Sequence, residues 1–282
     1  MSPSNPRTAR LPDTDTAGNE LRHAARALLC GNDVAALAQA VQALQERAAM
    51  LDVDPDAALD EPPGLPGLPP RPRLVSPHQV PRRSIHTALG RATMLHAVAH
   101  IEANAIRLAL DAAWRFAGMP ADYYRDWLRI AAEESHHFLL VAGHLRTLGH
   151  DYGDFDAHNG LWEMVAKTRS DVLARMALVP RTLEARGLDA TPPMRAKFVQ
   201  AGDDAAVAIL DVILHDEIGH VAVGNRWYRW LCKQRGVDPL AHYAVLAREH
   251  GAPVLRPPFN VEARRRAGFT ADEIAALPTA EP

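Results

Sequence analysis

A chain of 282 residues with 48% hydrophobic and 23% charged residues can bury one large core or two small ones. Its formal net charge of −3 excludes binding dominated by a basic surface, and its two distant cysteines, Cys30 and Cys232, exclude a disulfide framework and a thiolate zinc site. No apolar run approaches the ~18 residues of a membrane span, and the opening MSPSNPRTARLPDTDT lacks a secretory h-region, so a cytoplasmic protein without membrane contact is expected.

Residues 1–16, rich in Pro, Thr and Asp, are expected to be disordered. Helical spacing over 17–54 (Leu21, Ala24, Ala25, Leu28, then Val34, Leu37, Ala38, Val41, Leu44) predicts a hairpin broken at Gly31 and restarted by Asp33 as an N-cap. Nine of the chain's 22 prolines fall between Pro55 and Pro81. The stretch 55–83 therefore predicts an extended strap, with Leu65, Leu68, Leu74 and Val75 laid on a surface.

From 84 to 250 the chain reads as four long helices, at about 84–117, 121–148, 160–187 and 203–235, with turns at Gly118, Gly149 and Gly236. Thr191-Pro192-Pro193 is expected to join the third helix to the fourth. The tail, 251–282, is loop-rich, with Thr270 and Glu273 spaced as a capping box. No β-alternation of useful length occurs. The fold class is all-α, a four-helix bundle carrying an N-terminal hairpin, a strap and a tail.

Three of these helices place ionisable residues in their apolar stripes. Glu102 lies between Val98 and Ile106, Glu134 and His137 between Ile130 and Val141, and Glu217 and His220 between Ile213 and Gly224. An unpaired buried carboxylate costs several kcal/mol, so such groups need a partner. Glu-x-x-His places both side chains on one helix face. Glu102 and Glu134 stand 16 residues either side of Gly118, hence at one height in an antiparallel hairpin. One Glu plus two Glu-x-x-His pairs is the donor pattern of di-iron or di-manganese bundles, which takes a fourth Glu from the remaining helix. Four carboxylates and two neutral imidazoles carry −4, which two divalent cations balance.

Competing readings fail on spacing. His215 and His220 are five apart and diverge by about 140° on a helix. His96 and His100 face away from Glu102, as packing or supporting groups. Glu133/His136 is the same motif one residue out of phase with the core. No phosphate-binding glycine loop and no nucleophile elbow occurs.

The segments LHAVAHIEANAI (95–106), DWLRIAAEESHHF (126–138), YGDFDAHNGLWE (152–163), RMALVPRTLEARGLD (175–189), LHDEIGHVAVGNRW (214–227) and FNVEARRRAGF (259–269) resemble a bacterial ferritin-like family catalogued as a domain of unknown function, of the DUF455 type. The likeness spans roughly 18–278. Its wider kin include a di-iron hydroxylase that oxidises a prenylated adenosine in tRNA, which implies a ferritin-like bundle with a non-haem di-metal centre, though no substrate.

Two residues compete for the fourth glutamate. Glu163 and Glu184 are about 31 Å apart along a helix and cannot share a site. Gly202-Asp203-Asp204 stops and restarts helices better than Ala190-Thr191, and the related hydroxylase places a Glu-Ala-Arg like Glu184-Ala185-Arg186 at this ligand. Glu184 is preferred, with Glu163 as the alternative and as a polar anchor for the 156–160 loop.

The expected activity is O₂-activating oxidation of an unidentified small molecule by two iron ions, with manganese as the alternative metal and electrons from an external reductase. Metal handling or peroxide detoxification without an organic substrate is the alternative. tRNA is a less favoured substrate, because Arg71, Arg73, Arg82, Arg83 and Arg264–Arg266 form only modest clusters. A homodimer is compatible with the sequence. Trp162, Met164 and Met176 are candidates for a pocket wall, with plain core packing as the competing reading.

Overall fold

The computed structural model describes residues 19–81 and 83–279, so the expected disorder at 1–16 and the placement of Arg82 lie outside the described residues. The hairpin forms as α1 (Leu21–Leu28) and α2 (Val34–Glu46), and Asp33 caps α2 by accepting from the Ala35 and Ala36 amides at 2.9 and 3.0 Å. The bundle follows as α3 (Ala88–Arg115) and α4 (Ala121–Thr147), turned at Gly118 with φ of 77°. A short α5 (Gly160–Lys167) precedes α6 (Val172–Leu178), a π-helical turn (Val179–Glu184) and α7 (Ala185–Gln200), which together make the third bundle helix. The fourth, α8 (Asp204–Arg235), starts after Gly202 (φ 68°) on an Asp203 cap and ends at Gly236 (φ 65°). Three short helices complete the chain: α9 (Pro239–Glu249), α10 (Val261–Arg266) and α11 (Ala271–Ala275). The described residues are helical or irregular, with two isolated bridges and no strand.

The third helix differs from expectation. It runs over 172–200 instead of 160–187, and Pro192–Pro193 lie inside it. Pro180 has no amide to give the preceding turn, and the chain widens there into the π turn. Gly224 of α8 packs against that ring: a Cβ on Gly224 would sit 2.5 Å from the Pro180 Cβ. At Pro192 the carbonyl left without its helical donor, that of Leu188, accepts from Asn260 Nδ2 at 3.2 Å. The tail thus supplies the missing donor, an arrangement invisible to local propensity.

The hairpin is not a separate body. α1 packs on α3 and α2 on α4, and Leu21, Ala25, Leu37 and Val41 share one core with Leu95, Ile106, Trp127 and Phe138. Leu65 packs on this core, whereas Leu68 and Leu74 stay exposed, contrary to expectation. The strap is held by backbone instead: Val75 N donates to Ala157 O at 2.8 Å, Ala157 N to Arg73 O at 3.0 Å, and Arg73 pairs with Asp156 at 2.6 Å.

His96 and His100 are buried and pin the loop after α4. The Gly153 amide donates to His96 Nε2 at 2.9 Å, and His96 stacks on Tyr152. His100 donates from Nε2 to the His158 carbonyl and accepts from the Tyr152 hydroxyl at Nδ1, both at 3.0 Å. Burial first, and the neighbouring His100 second, lower His96 to a pKa of about 4, because the cationic form would lose both solvent and the Gly153 hydrogen bond. A histidine depressed on folding stabilises the native state above its unfolded pKa near 6.5 and loses that contribution as pH falls toward 4. Metal-free protein should therefore lose about 2 kcal/mol on account of His96 between pH 7 and pH 5. Urea unfolding at both pH values should show a shallower acid loss in His96→Gln than in the wild type; equal losses would contradict this role.

Candidate metal centre

α3 and α4 run antiparallel from the Gly118 turn, and α8 packs against α4. Their polar interruptions meet. Donor atoms of Glu102, Glu134 and His137 lie within 4.8 Å of one another, as do those of Glu134, Glu217 and His220. Glu134 belongs to both groups, so one carboxylate joins two adjacent sites. Glu134, His137 and His220 are fully buried, and Glu102 and Glu217 nearly so.

Glu184 ends the π turn beside this cluster, buried, with its carboxyl pushed up to about 8 by burial and by the charge on Glu134. Glu163 lies on α5 and is exposed. It is not brought to the cluster, and no hydrogen bond from its carboxylate to the 156–160 loop is seen among the described residues. Trp162, Met164 and Met176 do not line the cavity beside the cluster; Met164 and Met176 are core, and Trp162 packs against it.

Each imidazole is oriented by an acid from the opposite helix. His137 on α4 donates from Nε2 to Asp216 on α8 at 2.9 Å, and His220 on α8 donates from Nε2 to Glu133 on α4 at 2.8 Å. Both rings thereby turn Nδ1 inward, toward Glu134 at 3.2 Å and 2.9 Å. Arg129 in turn holds Glu133 at 2.8 Å. Sequence reasoning named neither acceptor, although the signal was present: each stands one residue before a ligand candidate, in Glu133-Glu134-x-x-His137 and Asp216-Glu217-x-x-His220. His136 and His215 are exposed and take no part.

Burial and mutual charge set the protonation of the cluster. Burial, then Glu134, push Glu102 up to about 8, and the same causes raise Glu217 well above the carboxylate range. Burial also opposes ionisation of Glu134, yet His220 and His137 hold it below the ordinary range. The surrounding acids raise both imidazoles against the effect of burial. Without cations, such a cluster satisfies itself only by holding protons.

Hydrogen bonds do not close it. Glu102 Oε2, Glu134 Oε1, Glu184 Oε2, Glu217 Oε2 and His220 Nδ1 are buried without a hydrogen-bond partner. His220 Nδ1 and Glu134 Oε1 are 2.9 Å apart, yet their directions do not make a hydrogen bond. Buried oxygen and nitrogen atoms left without partners in and beside two donor groups that share Glu134, with both histidines oriented from behind, fit divalent cations.

A cavity of about 310 Å³ opens beside Glu184 and Glu217, with an apolar wall that includes Ile101, Ala105, Leu108 and Leu161. The strap reaches it through Val80, and the loop after α4 through Ala157 and His158.

Fold and site together define an all-helical protein with a buried carboxylate–histidine cluster inside a four-helix bundle. The chain belongs to the family described as "Protein of unknown function (DUF455)", whose model matches residues 30–275. It is 53% identical over 213 residues to a Haemophilus influenzae protein described as "Uncharacterized protein", a match covering 73% of this chain and 74% of that one. No solved structure matches it. No helix among the described residues is long and apolar enough to cross a membrane.

Proposed function

We propose that this is a ferritin-like non-haem di-metal protein, most simply a di-iron oxidoreductase that activates O₂ to hydroxylate or desaturate a small organic substrate. The observation that carries the reading is the sharing of Glu134 between two donor groups, several of whose buried donor atoms have no hydrogen-bond partner. Glu102 and His137 would hold one ion, and Glu184 and His220 the other. Glu134 would be shared by both, and Glu217 would belong with His220. Manganese suits the same oxygen-rich set.

A reduced carboxylate-held iron pair supplies, when bound, the electrons for O₂ activation. The protein's own contributions are visible. Asp216 and Glu133 fix the imidazole tautomers and keep Nδ1 aimed inward. With two divalent ions bound, the carboxylates would give up their protons and the core would be close to neutral. The apolar wall of the cavity excludes water from the Glu184–Glu217 side and leaves room for an organic molecule. An external electron donor completes the cycle. Metal storage or peroxide removal would not call for such a cavity, and the pairing of Arg73 with Asp156 and Arg264 with Asp189 leaves fewer cations for tRNA phosphates.

The test is anaerobic loading of the full chain with Fe(II), followed by exposure to O₂. Bound ferrous iron should oxidise faster than free Fe(II) in the same buffer, and Glu134→Ala should remove the difference. Identical rates with and without protein would refute an O₂-activating centre.

A further inference from the structure

The cavity beside the proposed centre has two chemically different ends. Its inner end is formed by Glu184 and Glu217, the two acids of the cluster that reach it. Ile101, Leu108, Leu161 and Leu183 make its sides apolar. Arg186 also lines it; that side chain is exposed and has no hydrogen bond or ion pair among the described residues. The other acid at the cavity, Asp156, is committed to Arg73 through two hydrogen bonds of 3.0 and 2.6 Å. An exposed guanidinium without a partner among the described residues therefore borders an apolar hole, two residues beyond Glu184 in the chain.

Volume limits the occupant. About 310 Å³ holds roughly ten water-sized groups, the lower end of small-molecule sites. Gly187 forms part of the wall, and a Cβ built there meets no atom within 4 Å. A larger side chain at this lining position would therefore be accepted without a clash at its Cβ.

We propose that the cavity binds a compact apolar organic anion, its hydrocarbon part lying between Ile101 and Leu183 and its acid group held by Arg186. The inference rests on the di-metal reading only for what the buried end of the ligand meets. An anion is favoured because its charge is matched at the mouth by Arg186, while its hydrocarbon replaces water along the apolar sides.

The experiment uses the full chain, loaded with Mn(II) and also metal-free, titrated calorimetrically with octanoate, 1-octanol and octylammonium. Metal content is measured on every sample. Octanoate should bind more tightly than 1-octanol, and octylammonium most weakly. Arg186→Gln should weaken octanoate about fivefold, the effect of an ion pair at a partly wet rim, and leave 1-octanol unchanged. Gly187→Leu should abolish binding of both while the metal stoichiometry stays that of the wild type. Wild-type affinity for octanoate in Gly187→Leu, or an octanoate preference that survives Arg186→Gln, would overturn the proposal. So would a fully metallated wild type that binds neither probe, and that result would leave the metal centre standing. Octanoate binding by a chain that takes up no metal would uphold the cavity and remove the centre.

Discussion

Replacing Glu134 by alanine is expected to empty both ion positions at once. Its carboxylate is the single group common to the Glu102–His137 and Glu217–His220 clusters, so its loss removes a donor from each. Glu184→Ala should instead weaken one position and leave the other able to load, because Glu184 approaches the cluster from the Glu217 side. Glu163→Ala should change nothing, since Glu163 is exposed on α5. Changing Asp216 to Asn or Glu133 to Gln should lower affinity by roughly 10–100-fold without eliminating binding, the usual cost of freeing a ligating imidazole. Anaerobic Mn(II) titration of the purified variants reads all of these. Full metal content in Glu134→Ala would reject the shared-ligand geometry; metal retained in Glu184→Ala but lost in Glu163→Ala would reverse the choice of the fourth acid.

The largest effect on stability is expected at Arg22, far from the cluster. This side chain is fully buried, and its guanidinium donates to four carbonyls. Nε and Nη2 reach Trp114 O at 3.2 and 2.9 Å, near the C-terminus of α3, where carbonyls lack helical donors. Nη1 reaches Asp54, Pro55 and Ala57 at 2.7, 3.2 and 2.8 Å. Its plane also lies over Tyr124, 5.0 Å from the ring centroid. One residue thus joins the hairpin, the start of the strap and the end of α3. Arg22→Met should cost about 4 kcal/mol, because several buried carbonyls are left unpaired. Arg22→Lys should cost about half as much, having a charge but no planar fork. Chemical denaturation measures both; a loss below about 1 kcal/mol in Arg22→Met would show that water replaces the guanidinium.

Much of the architecture was legible because it is local. Three long helices with apolar stripes and glycine or aspartate at their ends were read at 84–117, 121–148 and 203–235 and are found at 88–115, 121–147 and 204–235. The capping box at Thr270 forms, and Glu273 additionally pairs with Arg181 at 2.7 Å, which no spacing rule reveals. The third helix was misread because its continuity depends on distant groups. Gly224 gives space for Pro180, and Asn260 serves the carbonyl that Pro192 cannot. Propensity alone treats Pro192–Pro193 as a break.

Glu102, Glu134, His137, Glu217 and His220 stood out because charged residues interrupt apolar periodicity, and the structure gathers those five. Glu184 was harder, since the π turn changes its helical phase relative to residues before Pro180. Asp216 and Glu133 were missed for another reason. Each supports a histidine on the other helix, a pairing across space that becomes visible only when α4 and α8 are placed together. The strap's anchors were hidden likewise, being backbone hydrogen bonds at 73–75 and 157 instead of leucine side chains.

The Glu134 cluster is expected to hold a pair of metal ions. Elemental analysis for Fe, Mn and Zn on the purified full chain, as isolated and after anaerobic reconstitution with Fe(II) or Mn(II), tests it most directly. About two ions per chain, chiefly iron as isolated, is the predicted result. A chain that stays well below one ion after reconstitution, with its fold intact by circular dichroism, would contradict it.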